Sequence, residues 1–384
     1  MEIVRGLSQD FQVYFVNGGQ VIPAFEIPVG VEVINLPALK TDPEFRSLQV
    51  VDDDRPLEVV QAARKHQLLE IFERIQPDLL IIELFPFGRK QFKFELIPLL
   101  DRVQALGRKT KVVCSLRDIV VGKKDQAAHE AKVCDLINRY FDLVLVHSDE
   151  SFMPLEVSFS RERDLQAQVT YTGYVTQPIG NDVAITPIDA IALARPEPMM
   201  LCSIGGGRFG HELVQAVIQS APQLAQRLPH HIHLFAGVFM PDAKYAQFEQ
   251  QVKVLQANGV TNLSLRRHTS CLLDYMQQAD LSISMGGYNT TMNILSTGVR
   301  SLMLTFMGND DQEQEIRARA LERCNILDVL TLADLVPDRF AAKVVDRISR
   351  SPAPVRMNLD GVAQTRRILQ QFITAGAPLH RVAA

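Results

Sequence analysis

The sequence predicts an α/β protein of two open parallel sheets that face each other across a cleft, on three grounds. Segments of strand and helix character alternate from one end of the chain to the other. The strand segments are continuous runs of Val, Ile and Leu, the pattern of strands covered on both faces. The 384 residues exceed one ordinary α/β core, and the stretch Thr176–Pro198 carries four prolines and little periodicity. The expected organisation is an N-terminal domain over 1–178, a linker over 179–198 and a C-terminal domain over 199–358. The remainder, 359–384, holds a last helix (Leu359–Phe372) that comes after the second sheet is complete and is expected to pack back on the first domain.

Met1–Leu7 reads as an amphipathic helix with Ile3, Val4 and Leu7 on one face. Strands follow at Gln12–Val16, Val31–Leu36, Leu79–Leu84, Lys111–Ser115, Leu143–His147 and Val169–Tyr171, with helices at Leu57–Gln76, Phe94–Leu106 and Lys123–Tyr140. The second half repeats the scheme. Its strands are Met199–Ile204, His233–Ala236, Leu263–Leu265, Leu281–Ser284 and Ser301–Leu304. Its helices are His211–Arg227, Lys244–Ala257, Cys271–Ala279, Asn289–Thr297, Gln314–Cys324 and Phe340–Ile348. Ligands of such sheets bind at the carboxyl ends of the strands, which for a facing pair means the cleft.

Charged residues make up 22% of the chain and the formal net charge is −4, which argues against a general nucleic-acid binder. The five cysteines form no C-x-x-C pair, and each falls in an apolar segment, so reduced, buried thiols in a cytoplasmic protein are expected. Apolar runs such as Leu79–Leu84 are too short to span a bilayer, and no signal peptide is visible after Met1.

Two strand–glycine–helix units stand out. In Asp280–Gly298 a short strand, the turn Gly286-Gly287 and a helix opening on Tyr288, Asn289 and Thr290 put backbone N–H groups and a positive helix end together, a site for phosphate. The plainer reading is that Asn289 and Thr290 only cap the helix. In Ser203–Gly210, Gly205, Gly206 and Gly207 allow a sharp turn and close backbone approach, and Arg208 would pair with phosphate charge. The alternative is a tight turn with a surface arginine. Two such units suggest a nucleotide diphosphate. Asn293, at i+4 from Asn289, would reach a ribose diol, and Gln312, Glu313 and Gln314 suit sugar hydroxyls; the alternatives are a solvated position and a first-turn acidic cluster.

In the first half Glu83 ends a strand, and Arg117 and Asp118 follow another. Asp118 is the candidate catalytic base or acceptor-hydroxyl holder; a salt bridge to Arg117 or a helix N-cap is the competing role. Phe85–Phe94 interleaves aromatics with Arg89, Lys90 and Lys93, which suits an acceptor or an anionic membrane surface; the equal alternative is a loop leading into a helix with Phe94 in the core. The cluster His230-His231-Ile232-His233 lacks a fourth ligand, so no metal is expected.

The run Met285–Asn293, with Gly298 beyond it, resembles the donor-binding box of nucleotide-sugar glycosyltransferases of the GT-B fold. It is similar to the His-Cys-Gly-Trp-Asn-Ser box of plant secondary-product enzymes. It also resembles the C-terminal domain of glycosyltransferase family 28, which includes the bacterial N-acetylglucosaminyltransferase of peptidoglycan synthesis. The order Phe85–Arg89, Phe94–Leu100, Ser115–Asp118, Thr172–Val175 and Gly286–Thr290 is similar to a bacterial group of predicted glycosyltransferases, over nearly the whole chain. The resemblance implies two facing Rossmann-like domains and a hexosyl transfer from a nucleotide diphosphate sugar, UDP-linked, with inversion and without metal or cofactor. Gly205, Gly206, Gly207, Arg208, Gly286, Gly287, Tyr288, Asn289 and Thr290 would face the diphosphate, and Gln312, Glu313 or Gln314 the donor sugar. Asn293 stands in place of a ribose-binding Glu, and His268 lies by the base. Glu83, Arg89 and Arg117 would lie on the acceptor side, with a lipid-linked acceptor at the inner face of the membrane one possibility.

Three departures from the pattern bear on this. Asn293 lacks the charge of Glu, which would lower donor affinity by about 1–2 kcal/mol. Arg300 stands where a proline usually follows the glycine. The N-terminal strand and its Gly-x-Gly-His type loop are missing, so either translation starts upstream of Met1, the favoured expectation, or the loop has been lost together with activity. A nucleotide-sugar 2-epimerase of similar fold and a non-catalytic donor-binding partner remain alternatives.

Overall fold

The computed structural model describes residues 1–20, 27–41, 47–51, 53–107, 109–180, 185–306 and 312–374. The chain divides into two compact units. One takes the residues up to Val175 and resumes at Met357; the other spans Thr176–Arg356.

The first unit begins with α1 (Glu2–Leu7), β1 (Val13–Asn17), β2 (Val31–Asn35) and a small hairpin of β3 (Leu39–Thr41) and β4 (Leu48–Val50). It continues through α2 (Leu57–Ile75), β5 (Leu79–Glu83), α3 (Lys93–Ala105), β6 (Lys111–Arg117), α4 (Gln126–Tyr140), β7 (Leu143–His147) and β8 (Gln168–Tyr171). α2 turns Val60, Arg64, Leu68, Ile71 and Phe72 inward, a spacing of three and four that marks one helix face. Asp125 caps α4 by accepting the Ala128 N–H. β5, β6, β7 and β8 form a parallel sheet in that order, and every residue of β7 is buried, as a strand covered on both faces requires.

β1 and β2 pair in parallel but as a separate ribbon; no strand among the described residues hydrogen-bonds β1 to β5. Side chains bridge the division. Val13 of β1 and Leu79 and Ile81 of β5 pack on one apolar cluster with Leu7, Val113 and Leu145. The sequence places strands on both sides of this division and expects one more strand in the domain.

The second unit opens with α5 (Pro187–Leu193), inside the stretch read as linker. It proceeds through β9 (Met199–Ser203), α6 (His211–Arg227), β10 (His231–Phe235), α7 (Asp242–Ala257), β11 (Leu263–Arg266) and α8 (Leu272–Gln278). Then come β12 (Leu281–Met285), α9 (Tyr288–Thr297), β13 (Ser301–Leu304), α10 (Glu313–Arg323), β14 (Leu327–Leu330) and α11 (Pro337–Ser349). Its six strands are parallel in the order β11-β10-β9-β12-β13-β14. β14 is absent from the sequence expectation because its four residues are interrupted by Asp328, whose carboxylate is taken by Arg347 and Arg350. α6 and α11 cover one face through Leu213, Val217, Phe340 and Val344.

α12 (Gly361–Thr374) returns to the first unit. Ile368, Leu369 and Phe372 join the cluster of Leu7, and Gly361 sits so close to the carbonyls of Gly173 and Tyr174 that a Cβ would lie 2.5 Å from Tyr174 O.

Two expectations are corrected here. Phe85 and Phe87 are 0% and 2% exposed and belong to the core, so these two rings are not available to an acceptor or a membrane, whereas Phe92 and Phe94 are half-buried and Arg89, Lys90 and Lys93 exposed. Of the five cysteines, four are buried, but Cys324 is exposed at the end of α10 because it follows the last inward turn of that helix.

Candidate functional site

β9 leads to β10 and β11 on one side, while β12 leads to β13 and β14 on the other, and β9 and β12 are paired neighbours with Ser203 beside Ser284. Strand order reverses between them, which in an open α/β sheet leaves a crevice at the carboxyl end. The turns that flank this point are the two glycine turns singled out in the sequence. They touch: a Cβ on Gly210 would lie 2.7 Å from Met285 Sδ at the end of β12.

On the β12 side the Gly286 N–H donates to Leu304 O (2.9 Å), seating the turn on β13. Gly287 takes the N-cap position of α9, and no side chain caps the helix. Asn289 and Thr290 therefore lie within the first turn, and the capping role considered for them is not the one they play. The first N–H groups of a helix have no intrahelical partner, so this end of α9 presents backbone donors together with the positive end of the helix dipole. Asn293, one turn on, is 9% exposed, and its side-chain amide has no hydrogen-bond partner among the described residues.

The residues Gln312, Glu313 and Gln314 are brought beside this turn and are separated by it into different roles. Glu313 pairs with the buried Arg317 (2.5 Å), whose guanidinium lies 5.2 Å from the Tyr288 ring centroid. Gln314 Oε1 accepts the Phe306 N–H (3.0 Å) and fills the space a Cβ on Gly286 would take. Both side chains hold α10 to the start of α9. Gln312 stands exposed at the N-cap of α10, its amide without a hydrogen bond among the described residues.

On the β9 side Gly205 and Gly207 have φ of 64° and 87°. Gly206 O accepts the Phe239 N–H (2.8 Å), which ties the turn to the one after β10. Arg208 is exposed, with its guanidinium 4.9 Å from the Phe239 ring centroid, and no carboxylate pairs with it among the described residues. Gly237 N–H donates in turn to Arg267 O (2.7 Å) after β11. The turns after β9, β10 and β11 thus form one linked shelf, on which His268 is exposed.

The three histidines of β10 and its approach do something else. His231 Nε2 and His233 Nδ1 both meet Ser264 Oγ (3.2 and 3.0 Å), and His230 meets Asp280 (3.3 Å). Burial pulls His231 and His233 down to about 4 and leaves their rings neutral near pH 7.

In the first unit Glu83, Arg89 and Arg117 come together at the carboxyl end of β5 and β6. Glu83 pairs with Arg89 (2.9 Å) and Arg117 (3.3 Å) at half-exposed positions. Asp118 is 0% exposed, so its carboxyl is enclosed in this structure rather than open at the strand end. Close by, a buried chain runs from β6 through β7 to the residue after β8, with no motif in the sequence to announce it. Ser115 Oγ meets His147 Nε2 (2.8 Å) and His147 Nδ1 meets Thr172 Oγ1 (2.9 Å). Burial lowers His147 to about 4. A cleft of about 430 Å³ at the ends of β7 and β8 is lined by Asp149, Glu150, Ser151, Tyr171 and Asn358.

Asp189 lies in the stretch expected to be linker, and the structure places it in α5. Thr186-Pro187-Ile188-Asp189 carries the cap, the first-turn proline and the acidic third position of a helix start, and that signal was available.

Residues 200–372 match the family model of the glycosyltransferase family 28 C-terminal domain. No curated protein sequence matches the chain. Among solved structures it is similar to Phytolacca americana UGT2 complexed with UDP-2-fluoro-glucose and pterostilbene (TM-score 0.60, 12% identity, 97% of this chain and 95% of that one). It is similar to the glycotransferase of kitacinnamycin (TM-score 0.56, 17% identity, 96% and 90%). It is also similar to MurG of Acinetobacter baumannii (TM-score 0.52, 11% identity, 89% and 85%).

Proposed function

We propose that this glycosyltransferase of the GT-B fold, with a family 28-type domain over residues 200–372, moves a hexosyl group from a UDP-linked sugar to an acceptor hydroxyl with inversion. The observation that carries the reading is the pairing of β9 with β12, which sets two glycine turns and the uncapped end of α9 at one reversal of strand order. The diphosphate occupies that crevice. The acceptor oxygen forms a bond to the anomeric carbon while the bond from that carbon to the diphosphate oxygen breaks, the nucleotide diphosphate leaves with the electron pair, and the acceptor's hydroxyl proton passes to solvent. First-turn N–H groups of α9, its dipole and Arg208 stabilise the leaving charge. Asn293 hydrogen-bonds the ribose and Gln312 the hexose. The UDP-2-fluoro-glucose of the Phytolacca structure supports a uridine donor.

One observation favours donor binding without transfer. Asp118 and His147 are enclosed and Glu83 is held by two arginines, so none of these three is a ready base for the acceptor proton. Isothermal titration with UDP, GDP and dTDP, followed by hydrolysis of the corresponding donor sugars, tests both readings. Binding of UDP with turnover supports transfer, binding without any turnover supports the second reading, and no binding removes both.

A further inference from the structure

α5 is a helix that faces the wrong way for its composition. Ile188 and Ile191 are 56% and 72% exposed, and its single buried residue is a carboxylate, Asp189. Apolar burial does not explain why α5 docks. The carboxylate instead gathers donors from the next elements. Asp189 Oδ1 accepts from Arg266 (2.6 Å) at the end of β11, from Thr269 Oγ1 (3.0 Å) in the following turn and from Tyr275 OH (3.0 Å) in α8. Thr186 Oγ1 donates to Oδ2 (2.5 Å). Burial acts to raise the Asp189 carboxyl, but these hydrogen bonds outweigh it and hold the group well below the usual carboxylate range. Thr269 also accepts the Cys271 N–H (3.2 Å), so the pull reaches the whole turn.

That turn is the outer end of the shelf described above. Arg267 ties it to the turn after β10 through Met240 O (2.9 Å) and Asp242. Residues 267–270 are therefore clamped from both sides, with His268 exposed between the clamps. With strands spaced about 4.8 Å apart, β11 lies roughly 10 Å from β9, the span of an extended nucleoside diphosphate anchored at the β9–β12 crevice.

We propose that Asp189 is a positioning residue for recognition of the nucleobase: it sets the turn 267–270 at the height where that turn meets the base, while the diphosphate is bound independently at α9. A buried ion pair of this kind contributes little net stability, and a set geometry is what it supplies here. The inference rests on the proposed donor site and names the element that decides which base that site accepts.

The test compares ligands with and without a base. Wild type, Asp189→Asn and Thr269→Val are titrated with UDP, GDP, dTDP and inorganic pyrophosphate, and their melting temperatures are recorded. Thr269→Val cuts only the link to the turn and leaves the Asp189–Arg266 pair, so it reports even if Asp189→Asn folds poorly. The expected result is about tenfold weaker binding of the preferred nucleoside diphosphate in both variants, narrower discrimination among the three bases, and pyrophosphate affinity within about twofold of wild type. Unchanged nucleotide binding in Thr269→Val overturns the inference. So does an equal loss of nucleotide and pyrophosphate, which marks Asp189 as structural only. Wild-type protein that binds pyrophosphate but none of the three nucleotides removes the donor reading itself, and this inference with it.

Discussion

Gly207 and Gly237 pack backbone against backbone. A Cβ on Gly237 would lie 2.3 Å from Gly207 N, and a Cβ on Gly207 would lie 2.4 Å from Ala236 O, with φ near +87° at both residues. The triple-glycine turn owes its middle and last residues to this contact with the turn after β10 and to the approach of Phe239, as well as to any ligand.

Replacing Gly207 or Gly237 by Ala is thus expected to combine left-handed strain with a backbone clash. Each should lower stability by about 1–3 kcal/mol and weaken diphosphate binding by displacing the shelf. Gly205→Ala, with no atom within 4 Å of the added Cβ, carries only the strain of its φ of 64° and should cost less. Urea denaturation of the three variants checks the order.

Arg64 is 1% exposed and is bidentate to Glu95 (2.8 and 2.7 Å) while donating to Gly18 O and Pro37 O. It joins α2, α3 and the turns after β1 and β2, the part of the first unit whose ribbon, among the described residues, makes no strand pairing with the main sheet. Arg64→Ala leaves a buried carboxylate unpaired and should cost about 3–5 kcal/mol, whereas Arg64→Met with Glu95→Leu should retain most of the stability. Chemical unfolding of the single and double variants measures this.

Gln312 is separated from Glu313 and Gln314 by its free amide. Gln312→Ala should weaken a UDP-hexose by about 0.5–1.5 kcal/mol and leave UDP itself unchanged. Gln314→Ala should weaken both, because it releases Phe306 and the Gly286 turn. Paired titrations with UDP and UDP-glucose give the comparison.

His147 is lowered from 6.5 to about 4 by burial. The unfolded chain therefore binds the proton first, so the contribution of this group is complete above pH 6.5 and is lost as pH falls toward 4, up to about 3 kcal/mol. A melting-temperature profile between pH 4 and 7 should rise with pH, and His147→Gln should flatten it.

Glu162 has the opposite sign. Burial and the neighbouring Glu156 raise its carboxyl to about 7. The protonated form is favoured in the fold, so stability is present below pH 4.5 and is lost as pH rises through 7. Because the group is partly exposed, the effect should be only about 1 kcal/mol. Glu162→Gln should raise the melting temperature at pH 8 and leave it unchanged at pH 4.

Periodicity along the chain already carries the α/β class, the parallel strands of both sheets and the two strand–glycine–helix units, because burial on both faces and turn chemistry leave local traces. Leu143–His147 and His211–Arg227 are found with the bounds the sequence predicts. Which strands lie side by side leaves no such trace. The meeting of the two glycine turns depends on β9 pairing with β12, some eighty positions apart in the chain. The same holds for side chains: Glu83 found Arg89 and Arg117, Asp118 was enclosed, and Asp189 reached Arg266 only once the strands were ordered. Hydrogen bonds and ion pairs form between groups that folding brings close, so the roles of polar residues were decided by the tertiary structure, while the pattern of apolar ones had already named the fold.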